Sequence, residues 1–269
     1  MVNMIVCCKQ IPDPEAPPVS FKIDPSSHKV IPPQGFPPVV SPFDLNAVEA
    51  ALRIKDALGG KITVLSLGNN LLSDVVKKPL SMGADELVLL EDEAFEGGDS
   101  WSTAGALAMA VKKIGAYDII FCGRQAADWD SGQVGSGIAE ILEIPSITLA
   151  KDVEIVDGTV RVVRVLDDWY EIVETTLPAL ITVSNELGEP RYQTISGIKT
   201  ATKKQPVRWK PVDIGLEPGK IGASGRCTRV LKLFQPARET TCEIVSGDSP
   251  DEVGANLATK LKEAKVFKF

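Results

Sequence analysis

The stretch YDIIFCGRQAADWDSGQVGSG, residues 117–137, decides how this chain is read. Ile119, Ile120, Phe121 and Cys122 form an unbroken apolar run, as expected of a strand buried on both faces of a parallel sheet. Small and polar residues follow at once: Gly123, Gly132, Gly135 and Gly137, with Gln125, Asp128, Asp130, Ser131 and Gln133 around Trp129. The carboxyl end of a strand near a topological switch point is where open parallel sheets bind ligands. Residues 131–137 also open a helix, whose free N–H groups and dipole attract phosphate. Asp128 and Asp130 would repel a phosphate, and suit a ribose hydroxyl or the ordering of the loop. Gln125 and Gln133 offer uncharged amides. These residues leave open a glycine-rich corner that merely turns the chain. Neither GxGxxG nor a P-loop GK[ST] is present, and CCKQIPDP stands after the first strand, which speaks against an ordinary NAD dehydrogenase.

Outward from that stretch, strands and helices alternate. NMIVCCK reads as the first strand, followed by a proline-rich loop from Pro12 to Pro42, too long for an ordinary connection. SPFDLNAVEAALRIKDALGG reads as a helix, with Ser41 at the N-cap, Pro42 first and Asp44 third. Its apolar stripe is Ala47, Ala51, Ile54 and Leu58, and Gly59 and Gly60 end it. KITVLSLG is a second strand; a helix is expected over 73–82, DELVLLED as a third strand and DSWSTAGALAMAVKKIG as a further helix. SGQVGSGIAEILEI and PSITLA continue the alternation after the fourth strand, YDIIFCG. The expected class is α/β, a Rossmann-like parallel sheet covered on both faces. From about residue 150 the pattern turns strand-rich, with a hairpin at Asp157-Gly158. Two parts are expected: a domain over 1–204, with a loop at 184–204, and an extended arm over 205–269. The arm's last helix is signalled by Ser249, Pro250 and Glu252.

Among 269 residues, 44% are hydrophobic, enough for a sizeable core. The net charge of −7 argues against nucleic acid or an anionic membrane as partner. No apolar run approaches the ~18 residues of a membrane span. The five cysteines form no CxxC pair, so a disulfide framework or a zinc site is not expected; they read as small buried hydrophobes of a cytoplasmic protein. The one histidine, His28, reads as a solvated loop residue, and no nucleophile–base pair is evident.

VCCKQIPD, SPFDLNAVEAALRIKD, SMGADELVLLED and GRQAADWDSGQVG together resemble the beta subunit of electron transfer flavoproteins. That family's signature is met by Val162, Arg164, Asp167, Asp168, Glu171, Val173, Pro178, Leu180, Ile181 and Thr182; Trp169 departs from it. The resemblance implies a fold like that of adenine nucleotide alpha hydrolases. It implies an electron carrier without a bond-making site of its own, paired with an alpha subunit that holds a redox FAD. Electrons would pass between an acyl-CoA dehydrogenase-like flavoprotein and NADH, ferredoxin or a quinone-linked oxidoreductase. An adenine-nucleotide site is implied at Cys7, Cys8, Lys9, Ser41, Pro42, Phe43, Asp44, Leu67, Gly123, Arg124, Gln125, Asp128, Trp129, Asp130, Ser131, Gly132, Gln133, Val134 and Gly135. Its ligand is FAD in bifurcating members and AMP in others; Trp129-Asp130-Ser131-Gly132 stands where bifurcating members carry G-D-T-A, yet Ser131 keeps a hydroxyl and Trp129 an aromatic face, and FAD is expected ahead of AMP. Leu187 matches an exposed partner anchor, with Glu189, Arg191 and Tyr192 beside it, and Lys199, Lys203 and Lys204 could steer an acidic partner. Two other readings stay open: a free-standing enzyme of the adenine nucleotide hydrolase class with Asp128 and Asp130 on magnesium, and a nucleotide sensor.

Overall fold

The structure, a computed structural model, describes residues 1–24, 26–27, 29–235 and 242–266; His28 lies outside the described residues. In chain order the elements are β1 (Val2–Cys7), β2 (Gln10–Ile11), β3 (Lys22–Asp24), β4 (Lys29–Ile31), β5 (Val39–Val40) and α1 (Pro42–Leu58). Next come β6 (Gly60–Gly68), α2 (Ser73–Val76), α3 (Lys78–Met82), β7 (Glu86–Glu91), α4 (Ser100–Ile114), β8 (Ile119–Gly123) and α5 (Val134–Leu142). Then follow β9 (Ser146–Val156), β10 (Thr159–Val165), β11 (Tyr170–Thr176), β12 (Ala179–Val183), α6 (Ile195–Lys203), β13 (Val207–Trp209), α7 (Gly222–Gly225) and α8 (Pro250–Glu263).

Nine strands form one sheet in the order β11-β10-β9-β12-β8-β1-β6-β7-β13. From β9 to β13 every pairing is parallel, whereas β10 runs antiparallel to β9 and to β11. The expected α/β class is found. The strand-rich stretch is no separate layer: β12 inserts between β9 and β8, so the hairpin extends the same sheet. PSITLA and the strand after it are one, β9, kinked where Leu149 takes φ +61°. The Asp157-Gly158 turn forms as expected, with φ +51° and +80°.

Strand alternation sends side chains to two cores. Met4 and Val6 of β1 pack with α1 and α3; Ile5 and Cys7 pack on the opposite face with α4 and α5. Each fully buried side chain of this kind, such as Phe121 or Leu89, contributes about 1.5–3 kcal/mol. The helix expected over 73–82 is two short ones, because Pro79 has no N–H to continue the ladder from α2.

Contacts divide the chain into two compact units, Met1–Leu231 and Lys232–Phe269. Residues 205–231, expected as the start of an extended arm, belong to the first. β13 adds to the sheet edge beside β7, and Ile214 and Ile221 bury in the α4 face. In the second unit, Ser249 Oγ accepts the Glu252 N–H at 3.2 Å and caps α8. Glu252 reaches the Asp248 N–H, at 2.9 Å, and not that of Ser249. Among the described residues, no helix is long and apolar enough to cross a membrane.

Candidate functional site: a crevice at the switch point

The chain leaves β1 through α1 to β6 and β7, then returns through α4 to β8 on the other flank of β1. The switch point therefore lies between β1 and β8, and the crevice opens beyond their carboxyl ends. α1 starts there because Ser41 donates its N–H to the Lys9 carbonyl at 2.9 Å. Asp44, third in the helix, does not complete a cap. Its carboxylate accepts the Lys9 N–H at 2.8 Å and the Gly123 N–H at 3.1 Å, tying together the ends of β1 and β8. Burial pushes the Asp44 carboxyl up to about 7. The charge of Asp128 adds to the rise, while the two N–H bonds and the Lys9 ammonium oppose it. Gly123 is required here: a Cβ on it would lie 2.5 Å from Asp44 Oδ1 and 2.7 Å from the Phe43 carbonyl carbon.

The loop after β8 uses its acids internally. Lys9 Nζ grips both oxygens of Asp128, at 2.9 and 2.7 Å, and Gln125 donates to Asp130 Oδ1 at 2.8 Å. Asp130 takes φ +51° and Gly132 φ +63°, which fold the loop back. Ser131 meets Ser100 Oγ at 3.2 Å, and Trp129 stands 56% exposed. α5 begins at Val134, later than the sequence suggests, so Ser131 and Gly132 precede it. Packing also demands two of the glycines. A Cβ at Gly135 would lie 2.8 Å from Thr182 Cγ2, and one at Gly137 2.9 Å from the Ala104 Cβ.

The N-termini of the longer helices, those of nine or more residues, differ; the short α2, α3 and α7 also have no side-chain cap among the described residues. α4, α6 and α8 are capped by the side chains of Asp99, Thr194 and Ser249. α1 and α5, which open on the crevice, carry no side-chain cap among the described residues. Ser41 Oγ is buried and without a hydrogen-bond partner there. Uncapped helix starts and an unpartnered hydroxyl are features that suit an anion.

Arg124 follows directly on β8. Its N–H bonds the Val183 carbonyl at 2.8 Å, and its guanidinium stands 5.5 Å from the Phe43 ring centre. It lines a cavity of about 560 Å³ with Leu149, Asp167, Asp168, Trp169 and Glu186, which brings the acids of the expected signature beside the crevice loop. Cys7, Cys8 and Cys122 are buried. Burial pushes the Cys8 thiol up, and contact with Cys7 followed by burial does the same to Cys122. Neither is a ready nucleophile. Leu67 sits half-buried at the end of β6.

The partner-facing residues fall differently from expectation. Leu187, expected to be exposed, is 6% exposed and packs with the α1 core. A turn over Asn185–Leu187, held by Asn46 Nδ2 on the Gly188 carbonyl at 2.7 Å, rolls it inward. Glu189 is exposed, Arg191 half-buried and Tyr192 86% exposed. Lys204 does not stand free to steer: its Nζ donates to the Ala84 and Asp85 carbonyls at 3.1 and 2.6 Å. Sequence reasoning missed Glu49, a buried acid facing Arg191; it shares its helix face with Asn46, Arg53 and Asp56, so no local pattern marked it as buried.

A profile of the electron transfer flavoprotein domain matches residues 31–214. The caffeyl-CoA reductase-Etf complex subunit CarD of Acetobacterium woodii is 39% identical over 267 residues, covering 99% of this chain and all of its own length. The electron transfer flavoprotein subunit beta of Thermoanaerobacterium thermosaccharolyticum is 40% identical over 267 residues, with 99% and 100% covered. Protein FixA of Azorhizobium caulinodans is 35% identical over 244 residues, with 88% and 85% covered. With the α/β sheet and its switch-point crevice in place, these matches establish that the chain belongs to the electron transfer flavoprotein family, among its beta subunits.

Proposed function

We propose that this chain is the nucleotide-holding half of a two-subunit electron carrier. Its partner is an alpha subunit. The pair moves electrons between an acyl-CoA dehydrogenase-type flavoprotein and a second redox protein or NADH. The observation that carries this reading is at the switch point: α1 and α5, which start after strands β5 and β8, have no side-chain caps, and Ser41 Oγ at the start of α1 is buried and unpartnered.

The residues present fit an adenine nucleotide. The backbone of Cys7, Cys8 and Ser41–Asp44 would border the adenine, and the N–H groups at Gln133–Gly135 with the Ser131 hydroxyl would hold phosphate. Gln125 and Asp130, already bonded to each other, hold the loop in shape around it. We assign FAD, with exposed Trp129 as an aromatic face at the crevice loop; AMP in the same cradle is the second reading. A bound FAD supplies electron-accepting chemistry, and this chain's own residues bind it, orient it and dock the partner.

A hydrolase reading finds less support. Asp128 is paired with Lys9 and Asp130 accepts from Gln125, which suits ordering of the loop, and no cluster of three or more candidate metal ligands occurs among the described residues. The test is the two-subunit complex: an absorbance spectrum, a flavin count and mass spectrometry of released nucleotide. An adenylate beyond the alpha subunit's own flavin supports the reading. ATP cleavage by the purified chain, with no adenylate retained, overturns it.

The carboxyl-terminal unit, Lys232–Phe269, is assigned to the alpha subunit's surface. Its helix α8 has no buried residue, while Leu257 is 45% exposed, which suits a segment completed by another chain.

A further inference from the structure

One carboxyl group joins the ends of β1 and β8. Asp44 is 7% exposed. Its Oδ2 accepts the Lys9 N–H at 2.8 Å, and its Oδ1 the Gly123 N–H at 3.1 Å. The junction needs two acceptors on one side chain. An amide here would turn its NH2 toward one of the two N–H groups. The carboxyl is therefore demanded by geometry, and its charge comes with it.

That charge is poorly compensated. Among the described residues Asp44 has no ion pair, and the Lys9 ammonium, at the same strand end, holds both oxygens of Asp128. β1 brings the thiols of Cys7 and Cys8 alongside, and β8 with its loop brings Cys122 and Asp128. Arg124 lies over the ring of the neighbouring Phe43, and the first turn of α5 carries no charged side chain. Burial holds the Asp44 carboxyl up at about 7, against the pull of the two N–H groups and of Lys9. The acid thus changes its charge in neutral solution.

The nucleotide proposed above would bring its phosphates to the start of α5. That turn stands on the same floor: a Cβ at Gly135 would lie 3.5 Å from the Cβ of Cys122, the residue before Gly123. An anion beside a buried carboxyl disfavours its charged form.

We propose that nucleotide binding in the crevice is coupled to proton uptake by Asp44: the neutral acid accepts the phosphates, and the ionised acid weakens their hold. The inference rests on the nucleotide reading of the crevice and adds the regulation of that site. The bound chain keeps the proton to higher pH than the free chain, so affinity is greatest at low pH and falls as pH rises through 7.

The test is calorimetric titration of the full-length chain, freed of nucleotide, with ADP-ribose, whose two phosphate charges do not titrate between pH 6 and pH 8. For an acid whose midpoint moves from about 7 to about 8 on binding, Kd should rise about fivefold from pH 6 to pH 8. About 0.4 proton should be taken up per nucleotide at pH 7, read from the heats in two buffers of different ionisation enthalpy. Asp44→Asn should abolish both effects. Asp128→Asn removes an anion facing Asp44 and frees the Lys9 ammonium, so the midpoint of the pH curve should move to lower pH. Equal affinity at pH 6 and pH 8 without proton uptake overturns the proposal and leaves the nucleotide reading standing. So does wild-type pH dependence in Asp44→Asn or, where that variant does not fold, an unmoved midpoint in Asp128→Asn. Failure of ADP-ribose to bind at any pH sinks the nucleotide reading, and the proposal with it.

Discussion

The two ends of α1 are built on opposite principles. At its N-terminus, Ser41 Oγ has no partner among the described residues and the helix has no side-chain cap. Along its body, Asn46, Glu49, Arg53 and Asp56 are all bonded, to the loop at Gly188–Arg191 or to one another. Buried polar groups are normally satisfied, so the orphaned Ser41 Oγ calls for an explanation, and the nucleotide proposed above supplies one. A saturated network marks a place that the protein holds rigid by itself. One helix thus borders both the switch point proposed above to take a nucleotide and a loop that its own side chains hold in place.

The largest blow to the crevice end is Gly123→Ala. The added Cβ would meet Asp44 Oδ1 at 2.5 Å and Phe43 atoms at 2.7 and 2.8 Å, which must shift. Destabilisation of about 1–3 kcal/mol in denaturant unfolding is expected, with loss of bound adenylate. Unchanged stability and full adenylate content would show that the Asp44 staple does not shape the crevice.

Next in size is the pH response of Asp44. Its folded pKa, about 7, lies above the ordinary 3.8, so the protonated acid favours the folded state. That contribution is complete below about pH 4 and is lost as pH rises through 7. Unfolding measured at pH 5 and pH 8 should therefore show wild-type stability falling, and Asp44→Asn should remove that part of the slope. Parallel pH curves for the two proteins would contradict it.

Gln133→Asp sharpens the comparison between capped and uncapped helices. An Asp at the N-cap of α5 should stabilise the nucleotide-free chain by about 0.5–2 kcal/mol. The same carboxylate should repel phosphate and lower adenylate content. A more stable chain that still retains its nucleotide would remove α5 from the phosphate site. The smallest effect is expected of Lys9→Met. The Lys9–Asp128 pair is 44% and 16% exposed at its two side chains, so its loss should cost less than about 1 kcal/mol by the same unfolding assay. A cost of several kcal/mol would mean that the crevice end is held by its own ion pair and is no longer the open counterpart of the loop.

Local signals were legible in the amino-acid sequence. The buried run Ile119–Cys122, the Asp157-Gly158 turn and Pro42 at the start of α1 each depend on neighbouring residues alone. Pro79 carries a local signal of the same kind for the break between α2 and α3, and the expectation of a single helix over 73–82 passed over it. What escaped depends on distant pairings. Asp44 looks like half of a helix cap, but its partners are Lys9 and Gly123, 35 and 79 positions away. Gly135 and Gly137 look like ligand glycines until Thr182 and Ala104 are seen beside them. Leu187 sits among polar residues in sequence and against α1 in space. The order of strands, with β12 between β9 and β8, is fixed by packing that no local pattern encodes.

The central claim is that the crevice between β1 and β8 holds an adenine nucleotide. The most direct measurement is the nucleotide inventory of the purified two-subunit complex after acid release, by mass spectrometry with a flavin count. One adenylate per copy of this chain is expected in addition to the alpha subunit's flavin: two FAD per complex, or one FAD and one AMP. A complex that releases no adenylate beyond a single flavin would contradict it.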